Sequence, residues 1–214
     1  MTPPSRRAVS LGLASLVGGA LPFTAAHAAL PADDQALVDQ AVAYLEGLSE
    51  ARGRFVQTDA RGQQVPGSLY LKRPGKARFD YDPPAGLLVV SDGGRVSIAN
   101  SRLKTFDSYP LMATPLSLFL ARQIRLDRGV VVTRVSRQSD GFTVTARDQK
   151  KQAEGQITLA FADSPLRLIG WTVTDAQGAS TRIQLTKLEK TSGLAPSLFV
   201  LKDPRPQNVG RPRM

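Results

Sequence analysis

Across residues 67–93 the chain reads GSLYLKRPGKARFDYDPPAGLLVVSDG, and apolar and polar positions alternate with period two on both sides of a Lys-Arg-Pro-Gly turn. Leu69 and Leu71 fall on one face of the first strand, with Ser68, Tyr70 and Lys72 on the other. In the second strand Ala77, Phe79 and Tyr81 oppose Lys76, Arg78 and Asp80. This alternation predicts an antiparallel hairpin with one apolar face. Similar short runs, bounded by Gly, Pro, Asp and Asn, predict strands over 53–58, 67–73, 76–82, 87–91, 95–99 and 102–107. A second series covers 129–137, 141–147, 156–162, 166–174, 180–188 and 197–201, about a dozen strands in all. Two segments break the period. From 33 to 48 Leu37, Val38, Ala41, Val42, Leu45 and Leu48 recur at helical spacing, with Asp33 and Asp34 at the positive end of the helix dipole. Thr114-Pro115 reads as an N-cap and first helical proline, opening a short helix to residue 123 that carries Leu116, Leu118, Phe119 and Leu120.

So many strands with so few helices cannot lie flat without bare edges and an uncovered apolar face. The expected class is therefore mainly β (α+β): a strongly curved antiparallel sheet covered by two or three helices. Asp92-Gly93 and the Asp175-to-Gly178 stretch read as hairpin turns rather than as metal loops.

The N-terminus changes where this domain is expected to work. Arg6-Arg7 precede an apolar run to Phe23, and Ala26-His27-Ala28 supplies the small residues of a cleavage site, so residues 1–28 read as a secretory signal. Both the Sec and the twin-arginine routes fit. The run is interrupted by Gly18-Gly19 and Pro22 and falls short of the ~20 residues of a membrane span. The mature domain is then expected over 29–203, with 204–214, proline-rich and basic, as a flexible tail.

Composition then removes most catalytic chemistry. The chain has no cysteine, and its single histidine is His27, inside the expected signal. Histidine triads, cysteine nucleophiles and the usual His/Cys zinc sites are thereby excluded from the mature protein, and no phosphate-cradling Gly-rich motif is present. Neither metal nor cofactor is expected, and the chain is not expected to be an enzyme. Without cysteine there is also no lipidation site. Of 28 basic residues, Arg6 and Arg7 leave with the signal; the remaining 26 against 18 acidic ones give a net charge of +8. That excess suits anionic headgroups or an acidic partner, and equally a merely solvated surface. No nucleic-acid motif is present, and a monomer is expected.

The order of strand, KRP turn, aromatic strand, double proline, apolar strand and SDG resembles the periplasmic lipoprotein-carrier family, the LolA-like proteins. GRFVQTDARG after the first helix, TPLSLFLARQ and the late TVTDAQGASTRIQL extend the resemblance over most of the chain after residue 33. It implies a half-open β-barrel closed by a helical lid over a hydrophobic cavity. It also implies acylated lipoproteins as cargo, received from an inner-membrane lipoprotein-releasing transporter and passed to an outer-membrane receptor. The alternative is a non-catalytic lipid- or polymer-binding half-barrel scaffold with other cargo. Candidate cavity residues are Leu69, Leu71, Phe79, Tyr81, Leu88, Val90, Leu116, Phe119, Leu120, Trp171 and Val173, each of which taken alone also suits ordinary core. The resemblance assigns Arg73, the arginine of the KRP motif, to lid and cargo control; as a residue it equally fits an exposed turn. The family often places a bulky apolar side chain where Ala77 stands.

Overall fold

The computed structural model describes residues 30–122, 130–149 and 155–203. The expected signal (1–28), the tail (204–214) and the end of the second helix at Gln123 lie outside the described residues. All the helices and strands described below lie in one compact unit, Pro31–Met214.

Helix α1 (Ala32–Glu46) leads into β1 (Glu50–Thr58), β2 (Gln64–Lys72), β3 (Lys76–Tyr81), β4 (Leu87–Asp92), β5 (Arg95–Asn100) and β6 (Thr105–Pro110). A 3-10 turn η1 (Leu111–Ala113) and helix α2 (Leu116–Leu120) follow. The second series is β7 (Val130–Gln138), β8 (Gly141–Asp148), β9 (Gln156–Asp163), β10 (Leu166–Thr174) and β11 (Ser180–Lys190), ending in a 3-10 turn η2 (Pro196–Phe199). All eleven strands form one sheet in the order β6-β5-β4-β3-β2-β1-β11-β10-β9-β8-β7. Two antiparallel meanders are thus fused along β1 and β11, whose register shifts between Arg54 and Phe55.

The sheet curls strongly. Strands β3 and β10 are four ladder steps apart, about 19 Å in a flat sheet, yet the rings of Phe79 and Trp171 lie 6.1 Å apart. Their faces meet because the sheet bends into a trough. Phe55 bridges the bend, edge-on to Phe79 at 5.7 Å and to Tyr81 at 5.2 Å. Gly67 makes room for it, since a Cβ there would stand 2.6 Å from the Phe55 ring and 2.7 Å from the Asp80 carbonyl.

Several expectations need correction. The sheet does not close: β6 and β7 are its edges and do not pair with each other. Of the two or three helices expected, the described residues hold one of full length, α1, and one of five residues, α2, supplemented by 3-10 turns. The strand expected at 102–107 begins at Thr105, because 101–104 form the turn, with Lys104 at φ 54°. The strand expected at 197–201 is η2 instead; the segment lies across β3 and β4 and forms no ladder. Thr114 does not cap α2; its hydroxyl bonds the Leu111 carbonyl of η1 at 2.8 Å, and Pro115 stands at the N-cap.

Candidate functional site

The concave face of the trough carries buried apolar side chains from both meanders. Register places Leu69 opposite Phe79 and Leu71 opposite Ala77, and both leucines are fully buried. From the other meander come Phe142, Val144, Leu159, Phe161 and Trp171, all buried. Helix α1 lies over this second series, with Tyr44 edge-on to Phe161 at 5.8 Å and Leu37, Val38, Ala41 and Leu45 turned inward. Helix α2 enters the trough itself. Its Phe119 stacks on Trp171 at 5.1 Å and 27°, and Phe119 and Leu120 are each 1% exposed. Leu116 is half-buried, and Val173 shares the side of Trp171 and is half-buried. Burial pushes the Tyr81 hydroxyl pKa up, and that hydroxyl donates to Gln57 Oε1.

Two of the candidate wall residues point the other way. Val90 pairs with Arg78 and Leu88 with Asp80, so both project from the convex face, opposite Leu69 and Phe79. A continuous Leu-Leu-Val-Val run does not reveal its own face, because both sides are apolar. Val90 is buried there, on the side where η2 and the buried Phe199 lie. Leu88 is instead half-buried in a rim pocket of about 560 Å³, with Asp80, Tyr81, Leu87, Asn100 and Lys104 among its lining. Ala77 is fully buried between Leu71 and Ser91, so it belongs to the trough floor rather than to a mouth.

Arg73 sits just beyond β2 and reaches both helices. Its Nη1 donates to the Leu45 carbonyl in the last turn of α1, and its Nη2 donates to the Ala121 carbonyl at the C-cap of α2, 2.6 Å away. Both carbonyls lie at the negative ends of the two helices, and Leu45 O also accepts the Leu48 amide at 3.0 Å. The backbone supports the same joint: Arg73 N donates to Ser49 O at 2.8 Å and Gly75 N to Leu120 O at 2.8 Å. Gly75 has φ 77°, and a Cβ there would lie 2.7 Å from Gly93 Cα, so this turn requires glycine. Burial lowers the guanidinium pKa from its ordinary value, with Glu46 acting in the opposite direction; Nε is buried without a hydrogen-bond partner.

The neighbouring Lys72 points to the convex side and fixes the chain after β11. Its Nζ pairs with Glu50 at 2.8 Å and donates to Leu194 O at 3.0 Å, while Leu194 N donates to Glu50 Oε2 at 2.8 Å. Arg78 Nη1 reaches Leu198 O at 3.3 Å. Sequence reading missed this strap altogether; Pro196 and the partnerless alternation of 197–201 were the only hints. Among the described residues no group of three or more His, Cys, Asp or Glu is placed to hold a metal ion, and no helix is long and apolar enough to cross a membrane.

Comparison with known proteins matches residues 46–202 to the family described as outer membrane lipoprotein carrier protein LolA. An outer-membrane lipoprotein carrier protein of Methylobacillus flagellatus is 31% identical over 173 residues, covering 76% of this chain and 82% of the relative. One of Chromobacterium violaceum is 27% identical over 193 residues, covering 86% and 92%. A solved LolA superfamily protein from Nitrosomonas europaea superposes with a TM-score of 0.47 at 11% identity, over 78% of this chain and 97% of that one. With the family match spanning most of the described sheet and its strap, this chain belongs to the LolA family of outer membrane lipoprotein carriers.

Proposed function

We propose that the chain is a periplasmic carrier that holds the acyl chains of lipoproteins in the trough. It would take them from an inner-membrane transporter and deliver them to an outer-membrane receptor. Its relatives bear the name of lipoprotein carriers. The observation that carries the reading is Arg73, which ties the C-terminal ends of both cover helices to one strand end while Phe119 fills the trough against Trp171. In this reading α2 closes the trough, and cargo replaces it. Residues 1–28 act as the export signal and 29–203 as the carrier domain.

Magnitudes agree with reversible loading. Burying an acyl chain of ~15 methylenes contributes about 12 kcal/mol, of nanomolar order before any costs. Displacing Phe119 and Leu120 from the trough costs about 3–6 kcal/mol of lost burial. The remainder of about 6–9 kcal/mol corresponds to micromolar-order binding, weak enough to hand cargo on without a fuel.

The test uses the mature protein with Arg73→Leu. Loss of two charge-assisted bonds speeds amide exchange over residues 116–122 at least tenfold, with the sheet amides unchanged. Transfer of a purified triacylated lipoprotein to receptor-bearing vesicles changes in parallel. Unchanged exchange together with unchanged transfer sinks the latch, and recovery of free lipid instead of an acylated polypeptide from periplasmic protein sinks the cargo assignment.

A further inference from the structure

The convex face of β7 to β11 bears an array of guanidiniums that the carrier reading leaves unused. One cross-strand row runs Arg134, Thr145, Thr158, Thr172 and Arg182 through five consecutive strands. At about 4.8 Å per step it spans ~19 Å. The Thr145 and Thr158 hydroxyls meet at 2.9 Å, and in the next row those of Thr174 and Ser180 meet at 3.0 Å. Arg147 shares the side of Thr145 by strand alternation, and its Nε is buried without a hydrogen-bond partner. Arg167 stands on the same face through its pairing with Ala162, and Arg134, Arg167 and Arg182 are exposed.

Among the described residues none of these four arginines forms an ion pair. On the other meander the convex charges neutralise one another: Arg54 with Asp82, Arg78 with Asp80, Lys72 with Glu50, and at the seam Arg52 with Glu189. The acidic residues Asp140, Asp163 and Asp175 sit in turns or at strand ends, and Asp175 already accepts the amides of Gln177 and Ala179.

We propose that this face docks on an anionic phospholipid surface. Guanidiniums bind phosphate as two-pronged donors, and between them the half-buried Thr172 and Thr158 hydroxyls add single donors to phosphate oxygens, with the buried Thr145 hydroxyl holding that of Thr158 from beneath. The row contains no aromatic or large aliphatic side chain, so it lacks the dehydrated anchors that give a protein–protein interface its affinity. What it offers is a broad, shallow, wholly polar array of unneutralised charge, which matches a headgroup layer. Binding is peripheral and salt-sensitive, leaving the trough on the opposite face open to exchange.

The test is sedimentation of the mature protein with vesicles of phosphatidylglycerol and phosphatidylcholine, against phosphatidylcholine alone. No acylated polypeptide is present, so its outcome is independent of the cargo assignment. Binding to the anionic vesicles is expected and is lost in 0.5 M salt. Arg134→Gln/Arg182→Gln weakens it about 25-fold, near fivefold for each arginine, whereas Arg52→Gln/Arg61→Gln, with the same net charge, changes it less than threefold. Circular dichroism of both variants checks the fold. Absence of anionic-vesicle binding, or equal losses in the two variants, overturns the proposal. So does binding of the protein to polyglutamate without binding to vesicles, which would assign the face to an acidic protein.

Discussion

The two meanders of the sheet are built alike inside and differently outside. On the concave side each supplies buried aromatics, Phe55, Phe79 and Tyr81 from one and Phe142, Phe161 and Trp171 from the other. On the convex side ion pairs tie β1 to β2 and to the end of β3, and the strap that ends in η2 lies over β3 and β4. The convex face of β7 to β10, continued by Arg182 of β11, has hydroxyls and, among the described residues, arginines outside any ion pair, while the Lys187–Glu189 pair lies at the far end of β11. The difference separates two jobs: the interior needs both halves to make a single core, whereas each exterior can specialise, since strand alternation insulates one face from the other.

The shared interior makes the strongest claim and the most damaging substitution. Trp171 is where β10, α2 and β3 meet, so Trp171→Ala lowers unfolding stability by about 3–5 kcal/mol in urea titration. A single transition at lower midpoint is expected; two separated transitions would mean that the meanders fold as independent units.

A smaller effect tests the strap, which only one half possesses. Hydrogen bonding from Lys72 foremost, then the Leu194 amide, holds the Glu50 carboxylate pKa below its ordinary value of 4.5. Because the folded value lies below the unfolded one, this stabilisation is fully present above the ordinary value and fades as pH falls through the lowered one. The protection of the 191–200 amides, as the ratio of intrinsic to observed exchange rate at each pH, should therefore be steady from pH 7 to pH 5, with opening accelerating only below the ordinary value. Glu50→Gln should remove that acid dependence. An acceleration already between pH 7 and pH 5 would mean that another group holds the strap.

The smallest effect is expected at the seam. Arg52 and Glu189 approach to only 3.8 Å and are largely exposed, so Arg52→Ala should leave the thermal midpoint within 1 °C of the parent. A larger drop would make this exposed pair part of what joins the halves.

The sequence revealed strands wherever a turn residue bounded an alternating run, which is why Leu166–Thr174 is found as expected. It did not reveal faces where the alternation slips. Register shifts at Arg54/Phe55, Val132/Arg134 and Leu168/Gly170 each move later residues across the sheet. The arginine–threonine row emerges only once those shifts are known, and Leu88 and Val90 were misassigned for want of a polar position between them. Arg73 was visible as a turn arginine, but its acceptors lie 28 and 48 residues away in sequence and on two helices. No local pattern could join them.

The unpaired edges of the sheet bear on how volume is gained. In a closed barrel, widening the interior means breaking a backbone ladder or changing strand stagger. Here no ladder joins β6 to β7, so separating these two edges breaks no strand pairing. Like an open clip, the trough can gain width at its rim without unzipping any strand pair.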